Sequence, residues 1–178
     1  MPLPRYMKLH KMPNAPLIPA LRPMREQDVP QVTNLLNTYL NERKVRIHFS
    51  EEEVRHFFVP RDKVVYAYVD GPSDALTDVF SFYFLPSQIL NHPEHNMLNV
   101  AYSFYNVSTT GRLLEGMSDM LLKAKEEDFD VFNTLDVMEN APVFEPLNFK
   151  IGDGLLHYYL FNWRIKDITP ENVGIVLV

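Results

Sequence analysis

The last residue of the chain, Val178, carries a group whose chemistry does not depend on its side chain, the α-carboxylate. It ends the run Val173-Gly174-Ile175-Val176-Leu177-Val178, which is apolar, strand-like and without a polar tail. Chain ends fray unless something ties them down. This ending is therefore expected to be a strand that carries the carboxylate into a sheet. A buried charge needs a partner, so the carboxylate is either half of a salt bridge or a base. A second carboxylate, Asp153, lies in Ile151-Gly152-Asp153-Gly154. Two glycines around an aspartate make a tight turn, which either only reverses the chain or offers negative charge to a cationic ligand group.

Other groups point less sharply to chemistry. His92-Pro93-Glu94-His95 has two histidines and a carboxylate, but metal ligation needs convergent groups, and the proline-bearing polar setting is that of a loop. His157 sits in an aromatic run and is expected to be packed there. Glu51-Glu52-Glu53 suits the first turn of a helix, where the dipole favours negative charge. No Gly-x-Ser-x-Gly, Walker or His-Glu-x-x-His motif occurs. The absence of cysteine excludes cysteine catalysis and disulfides and fits a cytoplasmic protein. A net charge of −6 argues against non-specific nucleic-acid binding. No apolar run approaches the ~18 residues of a membrane span, and no basic start followed by an apolar h-region marks a signal peptide.

The elements that must position these groups follow from periodicity. With 178 residues, 46% of them hydrophobic, the chain can bury one sizeable core. Residues 1–24, with prolines at 2, 4, 13, 16, 19 and 23, are expected to form an extended arm packed on the surface, and residues 25–178 a single domain. From Gln27, Val29, Val32, Leu36, Tyr39 and Leu40 recur at helical spacing, with Asp28 and Pro30 as a helix start. Ser50-Glu51-Glu52-Glu53 is a capping box opening a helix that stops before Pro60. Strands are expected over 63–69, 77–85 and 98–107. A strong amphipathic helix follows Gly111, with Leu113, Leu114, Met117, Leu121 and Ala124 on one side and Glu115, Asp119, Lys123, Glu126 and Glu127 on its polar face. A short strand over 129–134, a helical turn or two within 135–144, a long aromatic strand over 155–163 and the terminal strand 173–178 complete the chain. The sum is an α/β (α+β) layer fold with a mixed sheet of about six or seven strands.

This order resembles the GCN5-related acetyltransferase fold. A standalone enzyme of that fold carries a glycine-rich pyrophosphate loop before its long helix, where backbone N–H groups and the helix dipole hold the phosphates. Here the junction is Asn106-Val107-Ser108-Thr109-Thr110-Gly111-Arg112-Leu113. It has one glycine and no such pattern, so acyl-CoA binding by this chain alone is not expected.

Several blocks resemble the C-terminal part of the N-myristoyltransferase family. They are Met7-Lys8-Leu9, Leu21-Arg22-Pro23-Met24, Ser81-Phe82-Tyr83-Phe84-Leu85-Pro86-Ser87, Ala101-Tyr102-Ser103-Phe104-Tyr105-Asn106-Val107, Phe129-Asp130-Val131-Phe132-Asn133, Phe149 to Gly154, Tyr158-Tyr159-Leu160-Phe161-Asn162-Trp163 and the terminal run. They follow the family's order along nearly the whole chain. Where the family pattern is Lys-Phe-Gly-x-Gly-Asp-Gly, this chain has Asn148-Phe149-Lys150-Ile151-Gly152-Asp153-Gly154. The family's Asn-Phe-Leu-Cys block is absent, and the chain is expected to be the C-terminal half only.

The resemblance implies transfer of myristate from myristoyl-CoA to the N-terminal glycine of a protein. It implies that Val178 supplies the general base through its α-carboxylate, with Leu177 lining the site. Tyr83, Ser87, Leu98 and Tyr102 would line the peptide groove, with Asn133 near it, and Asp153, Gly154 and Leu156 would contact downstream residues of the peptide. No tightly bound cofactor is implied. Myristoyl-CoA is the co-substrate, held mainly by the family's N-terminal half, which also supplies the backbone oxyanion donors. The expected partners are glycine-starting peptides and that N-terminal half, with no nucleic acid and no membrane span, and the isolated half is expected to be inactive. Two other functions remain open on the sequence: a non-catalytic peptide-binding module and a small standalone acyl-CoA acetyltransferase.

Overall fold

The computed structural model describes residues 5, 8, 10–91, 93–152 and 154–178. The chain enters through a short strand, β1 (Arg22–Pro23), and a 3-10 turn (Glu26–Asp28). The buried Asp28 carboxylate then accepts the Arg25 amide at 2.7 Å and both Arg22 guanidinium nitrogens at 2.7 and 2.8 Å. These bonds set the chain direction for helix α1 (Val29–Leu40), where Pro30 occupies the first turn. A short strand, β2 (Val45–Arg46), precedes helix α2 (Glu51–Phe58). The expected capping box opens α2: Ser50 Oγ accepts the Glu53 amide, and Glu53 accepts the Ser50 amide.

Next come β3 (Val65–Asp70), β4 (Asp78–Phe84), β5 (Ser87–Gln88), β6 (Met97–Leu98) and β7 (Val100–Ser108). Helix α3 (Leu113–Glu126), strand β8 (Val131–Asn133), helix α4 (Ala141–Phe144) and strand β9 (Val173–Gly174) follow. The main sheet has five strands in the order β1-β3-β4-β7-β8, antiparallel except for the parallel β7–β8 pair. Two-stranded pairs, β2–β9 and β5–β6, lie apart from it.

Every residue of β3 is buried, because helices cover both faces of the sheet. On one face Ala67, Val69, Val79 and Val107 pack against Val32 and Leu36 of α1 and Phe58 of α2. On the other, Tyr66, Tyr68, Phe80 and Phe82 pack against Met120 and Ala124 of α3 and Ile18 of the arm. Helix α3 lies close on the sheet at Gly116, where a Cβ would stand 2.0 Å from the Phe80 ring. The sequence placed Asp119 on the polar face of α3, and this is corrected. Asp119 is fully buried and accepts the amides of Leu17 and Ile18 at 2.6 and 2.8 Å. The arm covers that side of the helix, and its unpaired N–H groups find their acceptor there.

Two strand expectations are also corrected. Residues 155–163 are not a strand, and Tyr159, Phe161 and Trp163 are exposed. Of residues 173–178 only Val173–Gly174 is a strand, and it pairs with β2 rather than with the main sheet. A strand needs a neighbour whose backbone groups face it. Among the described residues no strand pairs with 155–163, and β2 matches only two residues of the terminal run. Among the described residues the main sheet accordingly has five strands rather than six or seven.

Candidate functional site around the terminal segment

The site begins with a defect in the sheet. Strands β4 and β7 pair in register except between Phe80↔Asn106 and Phe82↔Ser103. Ser81 therefore faces two residues, Phe104 and Tyr105, a β-bulge that redirects side chains. Both aromatics enter the same core cluster, where strict alternation would send one to each face. Buried polar groups stitch the bulge: Ser81 Oγ donates to the Tyr105 carbonyl at 2.8 Å and accepts the Tyr105 amide at 3.1 Å. The Asn106 side chain accepts the Ser81 amide and donates to Ser103 Oγ at 2.7 Å.

Past the bulge, one line of residues crosses three strands. Tyr83 of β4 is opposite Tyr102 of β7, and Tyr102 is opposite Asn133 of β8. Cross-strand partners share a face. The two tyrosine rings stack with centroids 5.5 Å apart, and Phe104 meets Tyr83 edge-on at 5.9 Å. The β5–β6 pair continues these strands beyond Pro86 and sets Ser87 opposite Leu98. Strands β7 and β8 pair only over Val100–Tyr102 and Val131–Asn133, so beyond this line the sheet no longer continues across them.

The terminal segment is held over this face by three phenols. Tyr105 Oη accepts the Val176 amide at 3.1 Å and lies 3.5 Å from the Gly174 carbonyl. Tyr158 Oη donates to the Ile175 carbonyl at 2.8 Å, and Tyr83 Oη donates to the Leu177 carbonyl at 3.2 Å. Burial pushes the Tyr105 phenol up to about 12, so it stays protonated and acts as donor and acceptor at once. Burial likewise raises Tyr83 and Tyr158. Val178 itself is 70% exposed. The expectation that the α-carboxylate runs into the sheet is corrected: beyond Gly174 the chain leaves β2 and passes over the sheet face past Tyr83.

The structure thus sets Tyr83, Tyr102 and Asn133 in one cross-strand line, with Leu177 bonded to Tyr83, Val178 following it, and Ser87 and Leu98 at the adjoining strand ends. Gly154 and Leu156 lie in an exposed segment without regular secondary structure. Asp153 falls outside the described residues. Upstream of it Asn148, the last residue of a turn over 145–148, takes the left-handed conformation, φ 58°, and Lys150 does not. The sequence reading passed over Tyr105 and Tyr158 as anchors. The one local sign was two adjacent aromatics, Phe104-Tyr105, within the strand.

The opposite end of the β4–β7 pair has different chemistry. The fully buried Asp78 carboxylate accepts from Thr77 at 2.6 Å, Thr110 at 2.9 Å, Arg112 at 2.8 Å and Ser108. Arg112 also bonds Asp70. Burial alone would push Asp78 up, but its bonds to Ser108, Thr77, Thr110 and Arg112 prevail and hold it below the usual carboxylate range. Gly111 takes φ 76° in the loop before α3. Two carboxylates thus sit beside the start of the long helix, where an acetyltransferase of this fold presents phosphate-binding backbone groups. Among the described residues no three His, Asp or Glu groups converge as a metal site, and no helix is long and apolar enough to cross a membrane.

Comparisons with known proteins bear on the family and the fold. The family described as "Myristoyl-CoA:protein N-myristoyltransferase, C-terminal domain" matches residues 1–176. Glycylpeptide N-tetradecanoyltransferase 2 of Danio rerio is 47% identical over 178 residues, covering 99% of this chain and 36% of the relative. Glycylpeptide N-tetradecanoyltransferase 1 of Arabidopsis thaliana is 46% identical, covering 100% of this chain and 42% of the relative. The chain therefore spans well under half the length of these two relatives. The Saccharomyces cerevisiae N-myristoyltransferase solved with bound myristoyl-CoA superposes with a TM-score of 0.89 at 28% identity, over 99% of this chain and 48% of that one. A predicted acetyltransferase from Clostridium acetobutylicum, solved with acetyl-CoA, matches at TM-score 0.61 and 13% identity over 78% of this chain and 94% of that one. That likeness shows the acetyltransferase-like fold alone. By sequence and by fold, this chain belongs to the N-myristoyltransferase family, as its C-terminal domain.

Proposed function

We propose that this chain is the peptide-binding, C-terminal half of an N-myristoyltransferase, and that the α-carboxylate of Val178 is the general base. The amine of an N-terminal glycine attacks the thioester carbon of myristoyl-CoA. An amide bond forms, the C–S bond breaks and CoA leaves. A protonated amine cannot attack, and an α-amino group titrates at about 7.7–8.0, so a base must take its proton. The observation that carries this reading is the terminal segment itself, led by tyrosine hydroxyls over the Tyr83–Tyr102–Asn133 line and ending in a carboxylate.

An exposed carboxylate is a weak base, and loss of water raises its basicity. In this reading the cover comes from the bound peptide and from the upstream half. The exposed Leu155, Tyr159, Phe161 and Trp163 give that half an apolar surface to dock on. Tyr83, Ser87, Leu98, Tyr102, Asn133 and Leu177 line the peptide groove, and Asp153, Gly154 and Leu156 meet downstream residues of the peptide. The oxyanion donors and most of the myristoyl-CoA site belong to the upstream half, so this chain alone is inactive. The compartment this reading expects is the cytoplasm. Against a standalone acetyltransferase stands the Asp70–Arg112–Asp78 cluster, which puts negative charge where phosphates would bind.

The test is the intact mass of a glycine-starting peptide incubated with myristoyl-CoA and this chain, with and without the upstream half. Myristoylation only with both halves is expected. Myristoylation by the chain alone contradicts the half-enzyme reading. Peptide binding with no transfer even when both halves are present identifies a non-catalytic module.

A further inference from the structure

A carboxylate at the end of a chain has no side-chain scaffold to aim it. Its position depends on whatever fixes the residues before it, and here β9 ends at Gly174, four residues short of the terminus. We propose that Tyr105 is a positioning residue for the terminal carboxylate, its buried hydroxyl fixing the terminal segment at Val176 so that the last two residues are delivered over Tyr83. The inference rests on the reading of Val178 as the base.

Three features single out Tyr105. Its side chain is almost fully buried, in edge contact with Phe49 and Phe104, so the ring has little freedom to follow a moving strand. Its hydroxyl meets the backbone just after the β2–β9 ladder stops, accepting the Val176 amide at 3.1 Å. That amide is buried and has no ladder partner, and an unmade bond there would carry the cost of an orphaned donor. Finally, the ring faces the terminal segment only because the bulge turns Tyr105 to the same side as Phe104. Ser81 Oγ, bonded to both the amide and the carbonyl of Tyr105, closes that bulge. The line of control runs from Ser81 through the backbone of Tyr105 to its hydroxyl, and from there to Val176. Tyr83 and Tyr158 hold carbonyls of the same segment, but both are only partly buried.

The substitution that isolates the hydroxyl is Tyr105→Phe, which keeps the ring and its packing. On the 178-residue chain, amide hydrogen exchange at Val176 is expected to quicken about tenfold, the scale of one lost net hydrogen bond. Tyr66→Phe removes a phenol on the other face of the sheet, bonded to Lys63 and Asp62, and is expected to leave Val176 exchange unchanged. Ser81→Ala, which loosens the bulge without touching the phenol, is expected to quicken it to a lesser degree. With the upstream half present, Tyr105→Phe is expected to lower kcat about tenfold while the peptide KM stays within about twofold, the mark of an interaction used in the chemical step. Unchanged Val176 exchange in Tyr105→Phe overturns the proposal. So does faster exchange with an unchanged kcat, since the hydroxyl would then hold the strand without serving the base. Failure of the base reading has a different signature: a Val178 α-carboxamide would keep the full rate whatever Tyr105→Phe does to exchange.

Discussion

The two ends of the β4–β7 pair carry opposite kinds of polar chemistry. At one end Asp78 is fully buried and saturated, with four side chains donating to it and Arg112 shared with Asp70. At the other, half-buried tyrosine rings face a chain end whose last residue is 70% exposed. A satisfied buried network rigidifies. It also has no free valence for a substrate. The open end has hydroxyls that direct a backbone and a carboxylate close to water. The comparison suggests that one hairpin can serve as anchor and as working edge. In this chain the start of α3 carries an ion-pair lock, Arg112 held between Asp70 and Asp78.

The difference can be broken from either side. The largest effect is expected from deleting Leu177 and Val178. With the upstream half present, myristoyl transfer should fall by ~10²–10⁴, the usual scale of general-base catalysis, while the melting temperature of the chain stays the same. Asp78→Ala should do the reverse. It leaves Arg112 and three hydroxyls short of an acceptor, with an expected loss of ~3 kcal/mol, or a melting temperature lower by ~6–12 °C. A deletion that melts the chain, or an Asp78→Ala variant as stable as the parent, would erase the contrast.

Acid should separate the ends more gently. The Asp28 carboxyl is held below its usual range, first by its bond from Arg22, and Asp78 by the hydroxyl and guanidinium bonds that outweigh its burial. A carboxyl depressed in the fold contributes stability in full above its unfolded value of ~3.9, and loses it as pH falls through the folded value. Thermal melts from pH 5 downward should therefore show falling stability below about pH 4, and Asp78→Asn should flatten part of that slope. A parent melting temperature that stays level through this range would contradict the anchor role.

Much of the helix and strand framework was legible in the sequence. The Asp78 network was not, since its donors Ser108, Thr110 and Arg112 come from the end of β7 and the loop after it, with no recognisable motif. The Ser50–Glu53 box, the helical spacing of Val29 to Leu40 and the aromatic alternation of β3 and β4 are local patterns, and local patterns survive folding when tertiary contacts agree with them. The working end was legible by type and not by place. Residues 155–163 and 173–178 have strand composition, but composition does not say whether a partner edge exists. Asp119 had the spacing of a polar-face residue, and no periodicity could foresee that the amides of Leu17 and Ile18 would cap it. Tyr105 lay hidden for a similar reason, since a bulge is a relation between two strands and appears in neither alone.

Two smaller effects sharpen the working end. Asp153→Asn, in the full enzyme, should raise KM about tenfold for peptides with a downstream lysine, as expected for the loss of one charge-assisted contact, and leave kcat unchanged. A change in kcat alone would remove Asp153 from the groove. Val178→Leu should be nearly silent in both parameters, because the proposed base is backbone. A large loss in that variant would mean that the side chain matters.

The most direct measurement changes only the proposed base. A semisynthetic chain ending in the Val178 α-carboxamide keeps every side chain and removes only the terminal charge. Joined to its upstream half and given a glycine-starting peptide and myristoyl-CoA in single turnover, it should form the amide at least ~10²-fold more slowly than the carboxylate form, with peptide binding unchanged. A carboxamide enzyme that turns over at the full rate would contradict the assignment of the chain's last atoms as its base.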